Sequence, residues 1–87
     1  MDTQTILANV LDHRMRGERK HPEHKNRTQW IWALETRYKV IEQALLDEDN
    51  PLTRSVAGKA AAQLAALCVR MIEELALDLV PAKEGAD

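Results

Sequence analysis

The chain has 87 residues, of which 45% are apolar but only 3% are aromatic, and it contains no Phe. Its formal net charge of -2 argues against a general nucleic-acid binder, because such proteins are usually clearly basic. Cys68 is the only cysteine, which excludes an intrachain disulfide framework and favours a reducing, cytoplasmic setting. Residues 1–12 contain Asp2 and Asp12 and no basic residue, so we expect no secretory signal peptide. No apolar run approaches the roughly 20 residues that span a bilayer, so we expect no membrane-spanning segment.

Apolar residues recur at helical spacing in three segments, which predicts an all-α fold with three helices. The first helix is expected from Asp2 to about Arg16, with Gly17 as its stop. Residues 18–28 carry no apolar side chain and contain a proline, so they are expected to form an exposed connection. Thr28 is expected to cap the next helix.

The second helix is expected over residues 29–47, and the third from Leu52 or Thr53 to Leu79, with Pro81 preventing its continuation. The short connection between them predicts a long antiparallel hairpin. The apolar residues that define the two stripes are Trp30, Leu34, Tyr38, Ile41 and Leu45 in the second helix and Val56, Ala60, Leu64, Leu67, Met71, Leu75 and Leu79 in the third.

These two helices are apolar over more of their surface than one neighbouring helix each can cover. We therefore expect two copies of the chain to dimerise into a helical bundle. Residues 1–80 are expected to form a single helical domain, and residues 81–87 a disordered C-terminal tail.

Half of the twelve Lys and Arg residues lie between residues 13 and 27, opposed there only by Glu18 and Glu23. Clustered cations attract phosphate groups or an acidic protein surface, although a solvated linker gives the same pattern. The segment has no interleaved aromatic residue on which a base could stack. The candidate partner-binding residues of this basic segment are Arg14, Arg16, Arg19, Lys20, Lys25 and Arg27.

Candidate metal ligands are few. The histidines are expected to be exposed loop residues, because Pro22 interrupts their spacing and no thiolate or nearby carboxylate completes a familiar motif. A carboxylate site for Mg²⁺ is conceivable across the hairpin or a dimer, since hard cations take oxygen ligands. Its members would be Glu35, Glu42, Glu74 and Asp78. Cys68 lies on the apolar face of the third helix and is expected to be a buried, inert thiol.

The pieces HPEHKNRTQWIWAL, IEQALLDED and AAQLAALCVRMIEEL, which span about half the chain, resemble the small MazG-like members of the all-α nucleotide pyrophosphohydrolases. The resemblance implies a helical hairpin that dimerises. That family holds Mg²⁺ with an E-x-x-E pair on the first hairpin helix and an E-x-x-D pair on the second. The matching positions here are Thr36, Arg37, Val40, Ala60 and Gln63, and none of them is acidic. The resemblance therefore implies the scaffold without its catalytic residues.

The leading hypothesis is a non-enzymatic protein–protein interaction module that forms a homodimer and binds a protein with an acidic surface. Small proteins of this kind include phage or mobile-element accessory proteins that inhibit or modulate a host enzyme or a defence complex. No cofactor is expected under this hypothesis. The first alternative is a divergent pyrophosphohydrolase that uses Mg²⁺ or Mn²⁺ at the four acids above. A nucleic-acid-binding regulator ranks last, because the basic residues surround a long loop and do not form a helix-turn-helix.

Overall fold

The computed structural model describes residues 1–47 and 49–81, and within those residues it contains three α-helices and no strand. The helices are α1 (Thr3–Lys20), α2 (Arg27–Leu46) and α3 (Thr53–Leu75). The short connection between α2 and α3 brings them together as an antiparallel hairpin, and α1 packs against α3 but not against α2. The predicted all-α fold is confirmed, and α3 is its central helix.

The N-termini of α1 and α2 are set by polar caps. Asp2 accepts a hydrogen bond from the N–H of Thr5 at 2.8 Å, and this bond lowers the pKa of the Asp2 carboxyl. The prediction of Thr28 as the cap of α2 is wrong. Asn26 accepts from the N–H of Gln29, and the Gln29 side chain accepts from the N–H of Asn26, both at 2.9 Å. This capping box starts α2 two residues before the predicted position.

The prediction that α1 stops at Gly17 is also wrong, because the helix continues to Lys20. A Cβ atom added at Gly17 would meet nothing within 4 Å, so the position does not require glycine. The helix ends before His21 because Pro22 disfavours the helical conformation in the residue that precedes it. The last turn of α1 therefore consists of residues that the sequence pattern assigns to the loop.

The C-terminus of α3 lies at Leu75, four residues before the predicted Leu79. Ala76 adopts a left-handed conformation with φ 51°, and the N–H of Leu77 donates to the carbonyl of Ile72 at 3.0 Å. This arrangement is a Schellman-type helix end, in which the reversed chain satisfies carbonyls of the last turn. The chain therefore leaves the helix well before the proline that the sequence pattern indicates as its stop.

The buried core is small. Within residues 1–47 and 49–81, the fully buried side chains are Val10, Trp30, Ala44, Ala60, Ala66 and Arg70. The predicted apolar stripes are mostly half-buried or exposed, because α3 is the only helical neighbour of α1 and of α2. Cys68, predicted to be buried, is half-buried. Residues 82–87, nearly all of the predicted tail, lie outside the described residues.

Helix α3 is long and apolar enough to cross a membrane by length and composition, with a mean hydropathy of 1.3 over its best window. The central helix of a soluble bundle passes the same test, so the expectation that the chain has no membrane-spanning segment stays a prediction. In this fold, α3 forms ion pairs through Glu73 to Arg14 and through Arg70 to Glu74.

Candidate functional site

A groove of about 330 Å³ opens where α1, α2, α3 and the loop after α1 meet, and we call it the basic groove. Seven of the residues that line it are Lys or Arg, and among the described residues no Asp or Glu lines it. The lining residues are His13, Arg14, Arg16, Gly17, Lys20, His21, Lys25, Arg37, Lys59, Gln63, Ala66, Leu67 and Arg70. The fold thus concentrates positive charge in a chain whose net charge is negative.

Four of these cations have no acidic partner in the described part of the chain: Lys20, Lys25, Arg37 and Lys59. They come from α1, the following loop, α2 and α3. The ammonium of Lys25 lies 5.0 Å from the centre of the Trp30 ring, a cation–π contact that holds the side chain at the edge of the groove. The groove therefore presents uncompensated positive charge to a ligand.

The wall of the groove is held in place by Arg70, which is only 4% exposed. Its Nε donates to Glu74 at 2.7 Å and its Nη1 to the carbonyl of Gly17 at 3.3 Å. Its Nη2 donates to the carbonyls of His21 and Glu23 at 2.5 and 3.0 Å. One guanidinium thus ties the end of α1 and the following loop to α3. Since four of its five N–H donors are used in these bonds, Arg70 chiefly positions the groove, and ligand binding falls to the other cations.

The acid partner of Arg70 is itself largely buried, with 11% of the Glu74 side chain exposed. Burial disfavours the carboxylate, but the hydrogen bond and charge of Arg70 and the nearby His24 outweigh burial and lower the pKa of Glu74. The Nδ1 of His24 lies 3.7 Å from Oε2 of Glu74. Glu74 therefore stays ionised and keeps the Arg70 guanidinium oriented.

We expect Glu74→Gln to destabilise the fold by about 1–3 kcal/mol near neutral pH, because the buried charge of Arg70 loses its counterion. The pKa of Glu74 in the folded chain lies below its ordinary value of 4.5, so its contribution to stability is present above that pH and is lost as the pH falls further. Urea unfolding of both proteins should show the stability difference at neutral pH and a smaller one in acid.

The control for this prediction is Glu35→Gln, which removes an exposed ion pair with Lys39 on α2. Exposed pairs of this kind contribute little, so its stability should match the wild type at both pH values. A Glu74→Gln protein as stable as the wild type at neutral pH would contradict the structural role assigned to Glu74.

A second hollow adjoins the basic groove and shares four residues with it, namely His21, Lys25, Arg37 and Leu67. Trp32 lines this hollow and is 71% exposed, whereas Trp30, two positions earlier on the same helix, is 1% exposed. The two tryptophans face different ways because residues two positions apart on a helix point about 200° apart. Trp32 thus offers a large, exposed aromatic surface beside the cations.

The structure brings together four of the six residues predicted for partner binding, namely Arg14, Arg16, Lys20 and Lys25. Two of these cations are partly neutralised by acids: Arg14 pairs with Glu18 and Glu73, and Arg16 pairs with Asp12. The hydrogen bond to Glu73 is the main cause that raises the pKa of Arg14. The other two predicted residues, Arg19 and Arg27, are exposed and do not line the groove.

Arg37 and Lys59 line the basic groove but were not predicted from the sequence. They lie on α2 and α3, outside the basic segment, so charge clustering along the chain gives no signal for them. They could have been found as cations that border the apolar stripe of each hairpin helix, but only once the packing order of the helices is known.

The four acids of the alternative metal site are not assembled into a site. Glu35 pairs with Lys39 at 3.0 Å, Glu42 accepts from the hydroxyl of Tyr38 at 3.4 Å, and Glu74 is bound to Arg70. Within residues 1–47 and 49–81, no group of three or more His, Cys, Asp or Glu side chains could hold a metal ion. The described residues of one chain therefore do not bring these acids together, and a site shared between two chains stays a prediction.

No family model matches this chain, and no curated protein or solved structure is significantly similar to it. The resemblance to MazG-like proteins therefore stays a prediction.

Proposed function

We propose that this chain is a non-enzymatic interaction module that holds an acidic segment of another protein in its basic groove. The observation that supports the proposal is the convergence of Lys20, Lys25, Arg37 and Lys59, none of which has an acidic partner among residues 1–47 and 49–81. Like charges placed together repel one another, and a ligand with carboxylates relieves that repulsion on binding. A partner of this kind would be steered to the groove by the same charges.

The exposed Trp32 supports a protein partner, because Trp and Arg are the residues that most often dominate binding energy at protein interfaces. Trp32 and Arg37 line the same hollow beside the basic groove. In such a contact, Trp32 would cover an apolar side chain of the partner, and the cations would bind the flanking acids. By covering an acidic surface, the module would inhibit or modulate the protein that carries it.

A second candidate rests on the same two features, since cations beside an exposed aromatic ring also bind single-stranded nucleic acid. The net charge of -2 weakens this candidate, because the rest of the surface repels a long polyanion. The positive charge is confined to one groove of about 330 Å³ and does not form a continuous track. A short acidic protein segment therefore fits the charge distribution better.

The test is a fluorescence titration of the protein, in which both tryptophans report on binding: Trp32 lines the hollow beside the groove, and the Trp30 ring contacts Lys25 at the groove edge. We expect poly-L-glutamate to give a saturable change that weakens as NaCl rises past about 0.1 M, where charges are screened beyond about 10 Å. Tighter binding of single-stranded oligothymidylate at the same salt concentration would favour the second candidate. No response to either probe would contradict the proposed use of the groove.

A further inference from the structure

The cations of the basic groove approach it from four separate elements. Lys20 lies on α1, Lys25 on the following loop, Arg37 on α2 and Lys59 on α3, and none of them has an acidic partner among residues 1–47 and 49–81. A carboxylate offers one charge on two oxygens in a single plane. A phosphomonoester offers about -1.5 to -2 charges near pH 7 on three diverging oxygens. Cations that arrive from several sides therefore match a phosphate group better than a carboxylate.

The size of the groove also favours a single, highly charged group. Its volume of about 330 Å³ corresponds to about ten water molecules at about 30 Å³ each. Several carboxylates placed in that space would lie within a few ångströms of one another, and like charges at that distance repel. One phosphate brings nearly two charges as one covalent group. The groove is thus better suited to one phosphate than to a run of acids.

The hollow beside the groove differs from it in charge, because Glu23 lines the hollow and no Asp or Glu of the described residues lines the groove. The carboxylate of Glu23 repels a second acid placed in the hollow, whereas exposed Trp32 can contact an apolar side chain there. Arg37 lines both spaces, and its guanidinium can donate two parallel hydrogen bonds to phosphate oxygens at their boundary. Together the two spaces select one anion next to an apolar residue.

We propose that the basic groove binds a phosphorylated serine or threonine of the partner protein, with a neighbouring apolar residue of the partner against Trp32. This inference rests on the proposed function, because it names the anion in the segment that the groove holds. The short side chains of serine and threonine suit a groove of this size. Binding then depends on phosphorylation of the partner, since an unmodified hydroxyl brings no charge to the four cations.

The test is isothermal titration calorimetry of the full chain, at low ionic strength, with three capped peptides of sequence Gly-Gly-X-Leu-Gly-Gly. The residue X is phosphoserine, glutamate or serine. We expect the phosphoserine peptide to bind about 10-fold or more tightly than the glutamate peptide, because it offers an additional charge and an additional oxygen to the same cations. The serine peptide should give no measurable binding.

A second readout is the ratio of the phosphoserine and glutamate affinities at about pH 7.5 and at about pH 5. The phosphate takes up its second proton near pH 6, whereas a glutamate side chain stays ionised at pH 5. Any charge gained at His13, His21 or Glu23, which line the groove or the hollow, acts on both peptides. We therefore expect the ratio to fall several-fold in acid, and an unchanged ratio would overturn the recognition of a phosphate dianion.

The residue assignment is tested with Arg37→Gln and Lys59→Gln together. The matched control is Arg27→Gln with Arg54→Gln, which removes one exposed cation from each of the same two helices outside the groove. We expect the groove variant to lose about 10-fold or more in affinity for the phosphoserine peptide, and the control to keep it. Helical circular dichroism checks that both variants fold. Equal losses in the two variants would overturn the assignment to the groove.

The remaining outcomes separate this inference from the proposed function. Equal affinities for the phosphoserine and glutamate peptides, or binding of poly-L-glutamate without binding of the phosphoserine peptide, would overturn the inference alone. Inorganic phosphate that binds as tightly as the phosphoserine peptide would assign the groove to a free anion, and tighter binding of oligothymidylate would assign it to nucleic acid. Either result would overturn the inference. No response to poly-L-glutamate or to the phosphoserine peptide would overturn both proposals.

Discussion

Replacement of Arg70 by Met is expected to destabilise the fold by about 3–5 kcal/mol, because it leaves a buried carboxylate without its counterion. The carbonyls of His21 and Glu23 lose the Arg70 donor in the same variant, whereas the carbonyl of Gly17 keeps its bond from the N–H of His21. A domain of this length loses about 4–8 °C in melting temperature per kcal/mol, so the thermal transition should fall by more than about 10 °C. Thermal unfolding followed by circular dichroism, at one fixed protein concentration, measures the effect.

Arg54→Met is the matched control for this prediction, since Arg54 is exposed on the same helix and has no ion pair in the described part of the chain. Its melting temperature should stay close to that of the wild type. Arg70→Lys keeps the charge, but the lysine cannot reach several carbonyls at once. Its melting temperature should therefore lie between those of Arg70→Met and Arg54→Met. Equal melting temperatures for Arg70→Met and Arg54→Met would contradict the role assigned to Arg70.

Reversal of three groove charges, by Lys20→Glu, Arg37→Glu and Lys59→Glu together, is expected to weaken binding of poly-L-glutamate by roughly 100-fold or more. If each reversal costs about 1 kcal/mol in this partly exposed groove, the three together cost about 3 kcal/mol. The replaced cations have no ion pair in the described residues, so the fold should be retained. Fluorescence titration of the variant, with circular dichroism as a check on folding, measures both effects.

The matched control carries the same three charge changes outside the groove, at Arg19, Arg27 and Arg54. It has the same net charge as the groove variant, so long-range repulsion of the probe is equal in the two. We expect it to keep most of its affinity, because these residues do not line the groove. Arg19 and Arg27 belong to the basic segment that was predicted from the sequence. An equal loss of poly-L-glutamate affinity in both variants would therefore indicate a diffuse charge effect and not binding in the groove.

The helices could be predicted from the sequence because apolar spacing follows from helical geometry and is visible without tertiary information. Their ends were less predictable, since they depend on local competition between signals. Gly17 is a common helix stop, but here α1 continues to Lys20, three residues further along the chain. At the other end of the chain, Ala76 ends α3 by adopting a left-handed conformation that is unusual for alanine.

The extent of burial could not be predicted, because it depends on how many neighbours each helix has. The stripe containing Leu11 and Met15 reads as a buried face, yet α1 contacts α3 alone and leaves both residues more than half exposed. The same apolar spacing is expected for a residue that is buried within one chain and for a residue that is covered only in an assembly.

The basic groove was only half predictable, since its residues come from separate parts of the chain. Lys20 and Lys25 lie in a visible cluster of charge, whereas Arg37 and Lys59 join them through the packing of α2 and α3. Arg70 was missed because the sequence does not distinguish it from Arg54, which lies exposed on the same helix. Its role depends on three carbonyls that lie 47 to 53 positions away in the chain.

The most direct test of the proposed function is a heteronuclear NMR titration of the ¹⁵N-labelled protein with poly-L-glutamate. We expect chemical-shift changes at the amides of Lys20, Arg37 and Lys59 and at the indole N–H of Trp32, with little change at Leu11, which does not line the groove. Changes centred outside the groove, or no changes at saturating probe, would contradict the assignment of the basic groove as the partner-binding site.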